Sequence, residues 1–137
     1  MRPEPERLAK LSLFATLSPE QLRALSRYTT VREEDADTTL VEEEAPAFAF
    51  FVLEQGTALV TTGEQELRRL GPGDFFGEIG LLTDRGRTAS VTATSPVTLI
   101  VMLGRDLQMF MRDFPEAAER LRAAADERLA RSAAIGQ

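Results

Sequence analysis

Cysteine and histidine are both missing from the 137 residues, and lysine occurs once, at Lys10. Without cysteine there are no disulfide staples, no thiolate nucleophile and no cysteine-held iron–sulfur cluster. Without histidine there is no Ser-His-Asp triad and no histidine-ligated zinc or haem. Most catalytic kits are thereby excluded, and the sequence calls for no metal and no cofactor. No apolar run approaches the roughly 18 residues of a membrane span. The first 17 residues mix Arg2 and Arg7 with Glu4 and Glu6 and lack the apolar core and cleavage site of a secretion signal. The expectation is a cytoplasmic chain that meets no membrane. Positive charge is scarce as well, with 16 basic residues against 22 acidic ones and a net charge of -6. Attraction to phosphate backbones needs a basic excess on one face, so nucleic acid is not an expected partner.

What is present reads as one globular domain over residues 1–137. The hydrophobic share of 43% plus 9 glycines approaches the ~45–50% of ordinary domains, and 7 prolines are too few for a low-complexity chain. Residues 5–28 read as helical, with Leu8, Leu11, Leu22 and Leu25 apolar. Ser18-Pro19-Glu20-Gln21 marks a second helix start, with serine as cap, proline at the first helical position and glutamine reaching back. From 28 to 103 the pattern changes to short runs rich in Thr, Val, Phe and Leu, near 28–32, 38–42, 47–53, 56–62, 65–70, 88–93 and 97–103. Seven or eight short strands follow, with turns at Thr62-Gly63-Glu64 and Gly71-Pro72-Gly73-Asp74. Such a series builds a barrel, sandwich or jelly roll. After Gly104 a helical period returns, placing Leu107, Phe110, Met111 and Phe114 on one face. Pro115 restarts a helix that runs to about Ser132, with Glu116 and Glu119 early and Arg128 and Arg131 late, as the helix dipole favours.

The segment from Phe76 to Ser90 carries the chemistry. Gly77 and Gly80 allow close backbone approach, and a short helix there would offer unpaired amides to an anion. Arg87 lies nine residues after Glu78 and just before a strand. A tight loop brings its guanidinium fork, which matches two phosphate oxygens, back to the same cavity. Glu78 is then left to accept from a neutral hydroxyl such as a ribose 2′-OH. The competing reading of Arg87 and Glu78 is an ion pair that ties loop to helix.

FGEIGLL (76–82) followed by RTASV (87–91) resembles the phosphate-binding cassette of cyclic nucleotide-binding domains, found in the catabolite activator protein, regulatory subunits of protein kinase A and cyclic nucleotide-gated channels. The resemblance runs from LFATLSPEQL (13–22) through GPGDFFGE (71–78) to the closing helices. It implies a mainly β fold with flanking helices: an eight-stranded antiparallel β-roll, jelly-roll-like, with N-terminal helices and two C-terminal helices. The ligand it implies is cAMP or cGMP. Arg87 would bind the cyclic phosphate and Glu78 the ribose. Phe76, Gly77, Ile79 and Gly80 would line the cassette, with Thr88 and Ala89 flanking the phosphate. Thr88 also weakly favours guanine. The last helix would supply a lid, with Leu121 as apolar cap and Arg120 or Arg122 at the base edge.

The early turns depart from the family pattern. Where glycine is usual they read Glu33-Glu34-Asp35 and Glu42-Glu43-Glu44, and residues 33–44 hold seven carboxylates and no basic residue. Such a stretch is either a solvated surface or a partner-docking face. Gln55-Gly56 adds one residue after Phe51-Val52-Leu53, which predicts a bulge. Ala118, Leu121, Ala125 and Leu129 form a stripe that either packs on the same chain or serves as a homodimer seam or lid.

The favoured reading is a non-enzymatic sensor whose C-terminal helices pass ligand binding to a protein partner or a second copy, since no output segment is read after the last helix. One alternative is a degenerate scaffold that binds protein without nucleotide. A cupin-like metalloenzyme is disfavoured by the missing histidines.

Overall fold

The structure, a computed structural model, describes residues 1–42, 49–77 and 89–135, with backbone alone at 129 and 131–135. The expected helical stretch 5–28 is three short pieces. Helix α1 spans Pro5–Ala9, a 3-10 turn spans Ser12–Phe14, and α2 spans Pro19–Ser26. The reason is visible in the residues between them: Leu11, Leu13, Phe14 and Leu17 are all buried. That spacing cannot lie on one 3.6-residue face, so the chain turns to bury each of them. The start of α2 is the capping box that the sequence announces. Ser18 Oγ accepts from the Gln21 amide at 3.1 Å, and Gln21 Oε1 accepts from the Ser18 amide at 2.9 Å.

Eight strands occur among the described residues: β1 Thr29–Glu34, β2 Thr39–Val41, β3 Ala49–Gln55, β4 Ala58–Thr62, β5 Gln65–Leu70, β6 Phe75–Gly77, β7 Ser90–Ala93 and β8 Val97–Leu103. They form two four-stranded antiparallel sheets, ordered β1-β8-β3-β6 and β2-β7-β4-β5. The β-roll with flanking helices is thus the fold. Strand β6 was not among the expected runs, because three residues between a glycine turn and a glycine-rich segment carry no alternation to read. Chain order then continues with α3, Gly104–Asp113, and α4, Pro115–Ile135. Helix α4 runs past Ser132 and has no basic residue in its last turn, so Arg128 and Arg131 are not its dipole complement.

Strands β3, β6 and β8 of the first sheet are buried on both faces. On β3, Phe50 and Val52 point to the helices while Phe51 and Leu53 point to the other sheet; on β8, Ile100 and Met102 take the first side and Val97 and Leu99 the second. Strand β6 repeats the division with Phe75 and Phe76. The helical side holds Leu8, Phe14, Leu25, Leu107, Phe110 and Leu121, and Ala117, Ala118 and Ala125 bring α4 close. The stripe on α4 therefore packs on its own chain, where its side chains are described. No helix among the described residues is long and apolar enough to cross a membrane.

The bulge expected after Leu53 is present as a register shift between Leu53 and Gln55 against β8. It ends at Gly56, whose φ is +94°, and a Cβ there would lie 2.3 Å from the Pro96 carbonyl oxygen. Gly63, in the two-residue link between β4 and β5, has φ +58° and open space around it. Alanine at Gly63 should cost about 1–2 kcal/mol, the ordinary penalty of a left-handed backbone. Alanine at Gly56 should cost more, because backbone must move as well. Urea unfolding midpoints of the two variants test the ordering; equal losses would mean that the Pro96 contact relaxes freely.

Candidate functional site

In chain order the expected cassette connects the two sheets. It follows β6, the edge strand paired with β3 through Phe50↔Gly77, Phe51↔Phe76 and Val52↔Phe75, and it precedes β7, which lies between β2 and β4 in the other sheet. Glu78, Ile79, Gly80, Arg87 and Thr88 fall outside the described residues. Their flanks are described. Gly77 is buried at φ +91°, and a Cβ there would stand 2.4 Å from the Ala49 carbonyl oxygen. Only glycine fits where the chain leaves β6. The Phe76 ring stacks on Phe51 with centroids 5.1 Å apart and is 4% exposed, so its side chain belongs to the core between the sheets. Ala89, half-buried, packs against that same core. Both ends of the segment are thus anchored in one packed layer, which limits how far they can drift.

The three lid candidates on α4 occupy different places. Leu121 is fully buried in the layer between the helices and the β3–β8 face. Apolar area against Phe14 and its neighbours holds it there. Arg120 donates to the Thr16 carbonyl at 3.3 Å and to Gln21 Oε1 at 3.4 Å, bracing α4 against the capping box of α2. Arg122 is exposed beside a groove of about 400 Å³ between α3 and α4 that Met111, Pro115 and Glu119 also line.

Asp74, expected only as part of a turn, and Arg128, expected only as a helix-dipole complement, join distant elements. Asp74 Oδ2 accepts from the Gly71 amide at 2.8 Å, closing the Gly71–Asp74 turn, and Asp74 Oδ1 accepts from Arg128 Nε at 2.7 Å. A second Arg128 nitrogen donates to the Pro72 carbonyl at 3.1 Å. The turn is bonded to β3 by the Leu53 amide on the Asp74 carbonyl and the Gly73 amide on the Leu53 carbonyl, both 2.8 Å. Next along β3, Glu54 takes a two-pronged bond from Arg7 of α1, 2.6 Å at each oxygen. That bond raises the Arg7 guanidinium above its ordinary value, so it stays charged at every pH the fold meets. Asp at the end of a Gly-Pro-Gly turn is a readable signal for a side chain that bonds back to its own turn. Nothing local marks its partner 54 residues away.

A cleft of about 780 Å³ opens beside these two ion pairs, lined by Arg7, Lys10, Glu54, Gly73 and Arg128 among others. It sits at the Leu53 end of β3, whereas Gly77 pairs with Phe50 toward the other end. Arg7 and Glu54 pair with each other in its wall, and Arg128 pairs with Asp74. Among the described residues no group of three or more Asp and Glu could hold a metal ion.

Comparison with known proteins adds the family. Residues 31–114 match the family model described as a cyclic nucleotide-binding domain. A cGMP-dependent protein kinase of Eimeria tenella is 34% identical over 100 residues, 73% of this chain and 10% of the kinase. The chain spans between a tenth and about a third of the length of the curated relatives it matches. A Geobacter metallireducens crystal structure named for cyclic nucleotide binding superposes with a TM-score of 0.81 at 22% identity, covering 91% of this chain and 94% of that one. The regulatory domain of Toxoplasma gondii protein kinase A, crystallised with cAMP, gives 0.73 at 17% identity, covering 90% and 48%. These two likenesses concern the fold.

The core placement of Phe76 has a measurable outcome. Phe76→Ala should lower unfolding free energy by about 3–5 kcal/mol, the usual loss for a buried phenylalanine. A denaturation curve that shifts by under about 1 kcal/mol would place the ring outside the core.

Proposed function

The chain is a member of the cyclic nucleotide-binding domain family, and from that membership we propose that residues 1–137 act as one sensor unit for cAMP or cGMP. In this reading Arg87 pairs with the cyclic phosphate, and Glu78 accepts from the ribose hydroxyl. The Gly77, Ile79 and Gly80 backbone offers amides, and Thr88 and Ala89 flank the phosphate. The observation that carries the reading is the pair of anchors: a position that only glycine can occupy ends β6, and Ala89 packs against the core between the two sheets just before β7. A segment fixed at both ends can present free amides and a guanidinium without a large ordering penalty on binding. One phosphate charge met by one arginine leaves the carboxylate free for a neutral donor.

The module binds rather than catalyses, and its setting is cytoplasmic. Its output passes through α3 and α4 to a protein partner or a second copy of the chain. A ligand that prefers one arrangement of those helices shifts their population by its differential affinity and no more. The runner-up is a roll that binds protein without nucleotide. What favours it is the turn after β1, where Asp37 takes a left-handed φ of +70° in an acidic run in place of glycine.

After removal of any copurified nucleotide, cAMP or cGMP at 100 times its dissociation constant should stabilise the folded chain by about 2.7 kcal/mol. Arg87→Leu should abolish most of that gain, since a charge-assisted phosphate bond contributes about 1.5–3 kcal/mol, or roughly 10- to 100-fold in affinity. Melting curves with each nucleotide decide the matter. An unmoved wild-type curve with both would turn the assignment to the scaffold.

A further inference from the structure

The Arg128–Asp74 bond lies at the opposite end of β3 from Gly77, in no part of the proposed binding contacts, and yet it touches the strand that delivers them. Asp74 immediately precedes β6, and β6 ends at Gly77, one residue before Glu78. The carboxylate is hemmed in: one oxygen holds the Gly71 amide, the other holds Arg128, and the Asp74 backbone carbonyl is bonded to Leu53. Side-chain exposure is 11% for Asp74 and 25% for Arg128, so the pair is partly shielded from water. Arg128 belongs to the distal half of α4, beyond the last described core contact at Ala125. Past that point the bond to the turn joins the helix to the roll.

We propose that Asp74 and Arg128 are positioning residues for the nucleotide site: through their bond the distal half of α4 fixes the Gly71–Asp74 turn and with it the start of β6. This inference rests on the cyclic nucleotide reading above. A β6 held in place presents Gly77 and the residues after it in one setting, and losing the hold makes binding spend free energy on ordering them. The coupling is reciprocal. If the fastened helix strengthens nucleotide binding, bound nucleotide must strengthen the fastening by the same factor. Neither residue needs to touch the ligand for this to operate.

The test uses the full chain, Arg128→Ala as the main variant and Arg128→Lys as the conservative one, with calorimetric cAMP and cGMP titrations and amide exchange along α4. Arg128→Ala should weaken binding of whichever nucleotide the wild type takes by about fivefold or more, the low end of couplings between linked sites. Lysine, which keeps the charge and loses the fork, should fall between the two. In the wild type nucleotide should slow exchange over 126–135, and in Arg128→Ala it should not. Asp74→Asn combined with Arg128→Ala should bind no more weakly than the weaker single variant, as expected when both act through one bond. A wild type that binds neither nucleotide sinks the functional reading and this inference with it. A folded Arg128→Ala that binds like the wild type, or whose α4 still responds to ligand, overturns the inference alone and leaves the bond as a brace.

Discussion

Two neighbouring strands, β3 and β8, that are buried on both faces constrain nearly everything else in the molecule. Strands β3 and β8 must supply apolar residues at successive positions, alternately to the helices and to the second sheet. They do so with Phe50 to Leu53 and with Leu99 to Met102. A slip of one residue in either strand would exchange the two sets, putting side chains sized for a helix layer into the space between sheets. Register and helix placement are therefore one problem with one solution. The aromatic pairs reinforce it, with Phe51 stacked on Phe76 in the inner layer and Phe50 tilted on Phe75 in the outer, at centroid separations of 5.1 and 5.8 Å. Strand β6 is only three residues long, and it holds its place because both of its phenylalanines are gripped, one on each face.

The helices complete the outer layer rather than decorate it. Leu8, Phe14 and Leu25 from the N-terminal pieces meet Phe110 and Leu121 from α3 and α4 over the β3–β8 face. Polar contacts then fasten the edges: Arg7 to Glu54, Arg120 to Thr16 and Gln21, Arg128 to Asp74. Such partly exposed pairs add little stability singly. What they decide is alignment, since each joins a helix to a specific turn or strand end that apolar contact alone would let slide.

The parts of this arrangement legible in the sequence were those written in local chemistry. The Ser18–Gln21 box, the Gly63 link, the Gly71–Asp74 turn and the irregularity after Leu53 each need a particular residue at a particular place, and each was found where its residues stand. The helical reading of 5–28 places the second helix start correctly at Pro19, but the stretch before it is a five-residue helix and a 3-10 turn, because burial of Leu11, Leu13, Phe14 and Leu17 is a tertiary demand that breaks the local period. Strand β6 was too short for alternation to register. Arg128 looked like a dipole complement, and it became a cross-chain tie because α4 continues beyond it to Ile135. Leu121, the expected apolar cap, is buried between the helices and the β3–β8 face. Of the site, the motif named Gly77, Phe76 and Ala89, and the structure adds why two of them are fixed: steric exclusion at Gly77 and ring stacking at Phe76.

The exclusion at Gly77 has a consequence for how such a pocket can change over time. With the Ala49 carbonyl oxygen 2.4 Å from where any β-carbon would sit, the launch point tolerates no substitution without rebuilding β3. Under the proposed function, any change of ligand preference has to be made at positions other than this one. A loop transplanted from another member of the family should begin after this residue and not at it.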